Sequence, residues 1–173
     1  MLGGYSLGQG IGTLVGLIAT FAVVFVILSF GIYMPEDLID PIIVADFVDR
    51  PDLELKLAVI GTILYPPHLG IQLSFGAQGG TVLMALAWGI GGLLAGLLSR
   101  DIVGGVFAAV FAVVIGAFLT WLLVFFITTG DVYQLLGGPS LILLQFVLEG
   151  MLYPSIAAII GGLLGGGITR KRS

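Results

Sequence analysis

The chain has 173 residues, of which 58% are hydrophobic and 9% are charged, and its formal net charge is −4. Soluble domains carry about 25% charged residues, so this composition indicates an integral membrane protein. The acidic balance argues against a nucleic-acid partner, and the lack of cysteine excludes disulfides and thiolate metal sites. Asparagine, a thermolabile residue, is also absent, which favours a heat-adapted source.

The first apolar run covers residues 11–33 and carries no charged side chain. It is long enough to cross a membrane core, which requires about 20 helical residues. Neither a basic leader nor a small-residue cleavage site accompanies it, so we expect a retained membrane helix rather than a signal peptide.

An acidic insert, residues 34–78, follows the first run. Between Glu36 and Lys56 it holds seven acidic residues and two basic ones. Residues 42–48 are rich in β-branched side chains, and residues 53–60 begin with strict apolar–charged alternation. We therefore predict a β-hairpin over these two stretches, outside the membrane.

The end of the insert, residues 57–75, leaves three alternatives. It could extend the β-structure, lie on the membrane surface or form a fifth span. The Pro66-Pro67 pair at its centre disfavours a span, because lipid penalises the backbone groups that prolines leave unsatisfied.

Three further apolar runs are long enough to span a membrane, at residues 79–99, 102–128 and 141–168. Arg100 follows the second run, and Asp101 is well placed to cap the third. The sequence thus predicts an all-α membrane protein with four transmembrane helices.

Positive charge near the spans predicts their orientation. The basic residues at the ends of the second and fourth spans fall on one side in a four-span chain, and we interpret them as cytoplasmic interface anchors: Arg100, Arg170, Lys171 and Arg172. Both termini are then cytoplasmic and the insert is extracytoplasmic. We expect a multi-pass protein of a prokaryotic plasma membrane.

The chain contains an internal duplication. Residues 91–100 and 161–170 share the pattern Gly-Gly-Leu-Leu-x-Gly-x-x, which is followed by a hydroxyl residue and then by arginine. At an offset of 100 the first span matches the third: Gly16 with Gly116, Thr20 with Thr120, Val24 with Val124, Phe25 with Phe125 and Ile27 with Ile127. This pattern predicts two tandem hairpins in the same orientation, with the insert added to the first.

Small residues recur every four positions in these spans, which places them on one helix face. Such ridges let membrane helices approach closely, so we predict helix packing at Gly8, Gly12, Gly16, Gly92, Gly96, Ala108, Ala112, Gly116, Gly162 and Gly166.

Glu149 is the one charged residue inside an apolar run of the four-span chain, and an intramembrane carboxylate is a functional hypothesis by default. Gln145 and Tyr153 lie one turn before and after it, which gives a candidate polar membrane site. Counting about 20 residues back from Arg170 also places Glu149 near the outer interface. The carboxylate is therefore either interfacial or directed into the bundle.

Catalysis is not expected. One histidine, His68, cannot by itself form a metal site, and no G-x-S-x-G nucleophile elbow occurs. No cofactor is implied. We interpret the chain as a non-catalytic membrane subunit or scaffold, in a homo-oligomer or with other membrane subunits, whose insert offers a surface to an extracytoplasmic protein. The alternative is a small oligomeric transporter or channel that uses Glu149 and Gln145 for an ion or small solute.

Overall fold

A computed structural model describes residues 3–30, 79–127 and 147–170. Its four α-helices are α1 (Gly3–Ser29), α2 (Gly79–Ser99), α3 (Ile102–Ile127) and α4 (Leu152–Thr169). Residues 147–150 are also helical and lead into α4.

Four stretches of these helices are long and apolar enough to cross a membrane: Gly8–Val26, Val82–Ser99, Ile102–Thr120 and Val147–Thr169. The prediction of four apolar helices is confirmed, and it is consistent with a multi-pass membrane protein. No strand occurs within the three described ranges. The insert at 34–78, with its predicted β-hairpin and the 57–75 alternatives, lies outside them.

The turn from α2 to α3 takes two residues. Arg100 adopts a left-handed conformation, with φ of 54°, which ends α2 as a C′ residue normally does. Asp101 then begins α3, because its Oδ2 accepts a hydrogen bond of 2.9 Å from the Gly104 N–H. The predicted cap is therefore present, and the turn fixes α2 and α3 as antiparallel neighbours.

The close contacts between glycines and neighbouring backbones fix the direction of the other helix pairs. α1 and α2 are antiparallel, since Gly8 lies against Leu98 and Gly16 against Gly91. α2 and α4 are parallel, since Gly92 lies against Ala158 and Gly96 against Gly162.

The four helices form a bundle with the order α1, α2, α4, α3 around it. α2 and α3 also contact each other across the middle, which leaves α1 and α4 on opposite sides of that pair. The start of α1 and the ends of α2 and α4 consequently lie at the same end of the bundle. We call it the arginine end, after Arg100 and Arg170.

The interior combines many small residues with a few large ones such as Trp88 and Met84, while the outer surface carries most of the large apolar residues. The fully buried alanines include Ala87, Ala95 and Ala108, whereas Phe107 and Phe111 are more than half exposed. Lipid solvates such phenylalanines well, so this distribution suits a membrane environment.

Candidate functional site: the Glu149 turn and the arginine end

A proline breaks the helix just after Glu149. Pro154 has no N–H, so it cannot donate to the carbonyl of Gly150, and α4 begins afresh at Leu152. Met151 keeps nearly helical angles (φ −85°, ψ −9°), and its carbonyl accepts bonds from both the Ser155 N–H (3.0 Å) and the Ser155 hydroxyl (2.7 Å). The break therefore covers a single turn.

The carboxylate of Glu149 lies at this break. The residue is half-buried and its Oε2 atom is buried, next to the buried Gly150 and two residues after the buried Val147. Among the described residues no group of three histidine, cysteine, aspartate or glutamate side chains is placed to hold a metal ion.

Of the other two residues of the candidate polar membrane site, the structure describes one. Tyr153 shares a helix face with Glu149 but is 43% exposed on the outer surface of the bundle. Gln145 lies outside the described residues. The structure thus places the two described members one turn apart, with one partly buried and the other turned outward.

Most of the predicted packing residues lie at helix–helix contacts. A Cβ atom at Gly12 would lie 2.7 Å from the Ala95 carbonyl oxygen, and one at Gly116 would lie 2.8 Å from the ring of Trp88. Ala108 and Ala112 are buried, and Gly8 is half-buried with an added Cβ 3.4 Å from the Leu98 carbonyl. The remaining positions touch neighbouring backbones directly: Gly16, Gly92, Gly96, Gly162 and Gly166.

The four-residue spacing in the sequence did not predict a second line of packing glycines. Gly161 and Gly165 lie against the backbone of α2, while Gly162 and Gly166 lie against α3. Adjacent residues on a helix point about 100° apart, so each Gly-Gly doublet serves two different neighbours. The doublets themselves were the available signal, because a four-residue ridge requires only one glycine per turn.

The two buried threonines both bond to a carbonyl of their own helix, and one of them also reaches α2. Thr20 and Thr120, exposed by 0% and 1%, donate to the carbonyls of Gly16 (2.9 Å) and Gly116 (2.8 Å), one turn earlier. Thr20 also lies 3.4 Å from the carbonyl oxygen of Ala87 on α2. Along the described helices these two threonines therefore present no polar pathway through the bundle.

The arginine end is the most polar part of the described structure. Arg100 and Arg170 are both exposed there, and the predicted anchors Lys171 and Arg172 follow outside the described residues. An open cleft of about 410 Å³ between α1 and α3 is lined by Gln9, Ser99 and Asp101. The Ser99 hydroxyl donates a hydrogen bond to the Ala95 carbonyl, and the Asp101 carboxylate accepts one from the Gly104 N–H.

No family model matches the chain, and neither the curated proteins nor the solved structures include a match to it. The features of the chain that bear on its function are the helix packing, the Glu149 turn and the arginine end.

Proposed function

We propose that the chain is a non-catalytic subunit or scaffold of a membrane assembly. The observation that carries the proposal is the closed interior of the bundle. Glycines bring the helix backbones into direct contact, and the buried threonines Thr20 and Thr120 each donate a hydrogen bond within their own helix. A channel or carrier requires groups that line a route for its solute. An interior of this kind instead gives a rigid body with an apolar exterior.

Partner-facing surface is available in two forms. An added Cβ would meet nothing within 4 Å at Gly10 or Gly167, so these glycines open outward from the bundle. Small outward residues allow another membrane helix to approach closely. The predicted β-structure of residues 34–78 would add an extracytoplasmic surface, since unpaired strand edges invite pairing with another chain.

The proposal includes a duplicated architecture and an orientation. The packing supports two parallel hairpins, because Gly116 contacts Leu17 and Gly96 contacts Gly162, close to the offsets of 100 and 70 in the sequence. We assign the arginine end to the cytoplasm by the positive-inside rule. Both termini would then be cytoplasmic in a prokaryotic plasma membrane.

The mass of the assembly tests the scaffold proposal. The full chain is cross-linked in its native membrane, extracted in mild detergent and sized by light scattering that separates protein from detergent mass. We expect a multiple of the 18.0 kDa chain, or one chain with a partner in fixed ratio. A single 18.0 kDa chain without a partner would contradict the proposal.

One observation favours a second candidate, a small oligomeric transporter. The buried Oε2 of Glu149 lies beside a proline-broken helix, as at the cation sites of some carriers. The chain reconstituted in liposomes would then carry a cation or proton flux that Glu149→Gln abolishes. Glu54→Gln, the same change in the insert, is the matched control. Absence of flux in the unmodified chain rules this candidate out.

A further inference from the structure

An apolar groove runs along the outer seam between α2 and α4. Its sides include Leu93 and Leu164, its floor includes Gly161, which lies against the α2 backbone, and Gly89 leaves it open, since an added Cβ there would meet nothing within 4 Å. Its volume is about 410 Å³. Because α2 and α4 are parallel, both helices that form the groove end at the arginine end.

Two positive charges lie beyond the groove, toward the arginine end. Arg100 follows α2 and Arg170 follows α4, and both are exposed. Arg100 is the one non-glycine residue among the described ones with a positive φ, at a C′ position where glycine is the usual choice. Arginine rather than glycine therefore occupies this position at some cost in backbone strain.

The spacing of charge and groove matches a lipid molecule. Leu93 lies seven residues before Arg100, and Leu164 lies six before Arg170, so the groove begins about 10 Å below the arginines by helical rise. That distance separates a headgroup at the interface from the hydrocarbon chains beneath it. A phosphate at the arginines would therefore place an acyl chain in the groove.

We infer that the α2–α4 groove and its two arginines bind an anionic phospholipid, with the headgroup at Arg100 and Arg170 and one acyl chain along the groove. A second copy of the chain fits this surface less well, because a parallel partner would bring its own arginines to the same level. Anionic lipids complement the charge, and basic pockets between membrane helices are known to hold them. The inference requires membrane insertion only and is independent of the proposed assembly.

Native mass spectrometry of the full chain, with added phosphatidylglycerol or phosphatidylcholine of matched acyl chains, tests the site. The unmodified chain should retain phosphatidylglycerol preferentially. Each of Arg100→Gln and Arg170→Gln should weaken its binding about fivefold, and the double variant about 30-fold, with phosphatidylcholine unchanged. Arg50→Gln, the same change in the insert, should have no effect.

Two further variants separate lipid binding from folding. Arg100→Gly relieves the left-handed strain, so it should fold with an undiminished melting temperature yet lose the preference for phosphatidylglycerol. Ala85→Leu narrows the groove and should weaken binding of both lipids, whereas Ala22→Leu, on the exposed side of α1, should not.

Three outcomes would overturn the inference. These are equal retention of both lipids by the unmodified chain, an equal loss on Arg50→Gln, and conversion of a dimer to a monomer by Ala85→Leu. The last would assign the groove to a second copy. A single chain without any protein partner that still selects phosphatidylglycerol would disprove the scaffold proposal and leave this one standing.

Discussion

Replacing Gly16 with alanine tests how the bundle is held together. A methyl group at this position would lie 2.7 Å from the carbonyl oxygen of Gly91 and 3.0 Å from the methyl of Ala95, whereas ordinary contacts begin at 3.4 Å. α1 would have to withdraw from α2 by about 0.7 Å, because the nearest obstacle is backbone. A gap of that size loses about a quarter to a half of each dispersion contact along the pair.

We expect Gly16→Ala to lower the free energy of unfolding by about 1–3 kcal/mol, the usual cost of overpacking. Reversible unfolding of the full chain in mixed detergent–SDS micelles, followed by circular dichroism, measures it. Gly10→Ala on the same helix is the matched control, since Gly10 is exposed and an added Cβ meets nothing within 4 Å. The control should be neutral or stabilising by up to about 1 kcal/mol from helix propensity. Equal shifts for the two variants would refute the packing argument.

Two further predictions use the same unfolding assay. The Thr20 hydroxyl lies 3.4 Å from the Ala87 carbonyl of α2, in addition to its bond within α1. Thr20→Val should therefore cost about 0.6 kcal/mol more than Thr120→Val, and an equal cost would dismiss the interhelical bond. Asp101→Ala removes the cap on the Gly104 N–H and should cost about 1 kcal/mol, while Asp101→Asn should retain most of it.

Helix positions with strong end signals were predictable from sequence. The observed bounds of α2 match the predicted 79–99, and α3 begins at the predicted residue 102, because Arg100 and Asp101 form a charged turn between apolar runs. The start of α1 was not predictable in the same way. It begins at Gly3 rather than residue 11, since uncharged residues with several glycines continue the helix without a polar stop.

The arrangement of the helices exceeds what the sequence could predict. A ridge of small residues indicates close packing but does not identify the neighbour, and every helix here carries one. In the structure α4 packs closely on α2 as well as on α3. At the Glu149 turn, Pro154 leaves the Gly150 carbonyl without its helical N–H donor in any fold, whereas the outward position of Tyr153 depends on how α4 is rotated in the bundle.

The parallel pair α2–α4 has an electrostatic cost that its sequence addresses. Side-by-side parallel helices bring their partially negative C-terminal ends together at the arginine end, where the partially positive starts of α1 and α3 compensate part of the repulsion. The Gly-Gly doublets offset this repulsion by allowing contact between the two backbones. Arg100 and Arg170 place a positive charge at the C-terminal end of α2 and of α4. Each arginine contributes about 0.3–1 kcal/mol in this way. The left-handed conformation of Arg100 costs about 1–2 kcal/mol, which exceeds that contribution. Dipole compensation alone does not cover that cost, and the bond from the Arg100 N–H to the Gly96 carbonyl (3.2 Å), which closes the last turn of α2, offsets part of it.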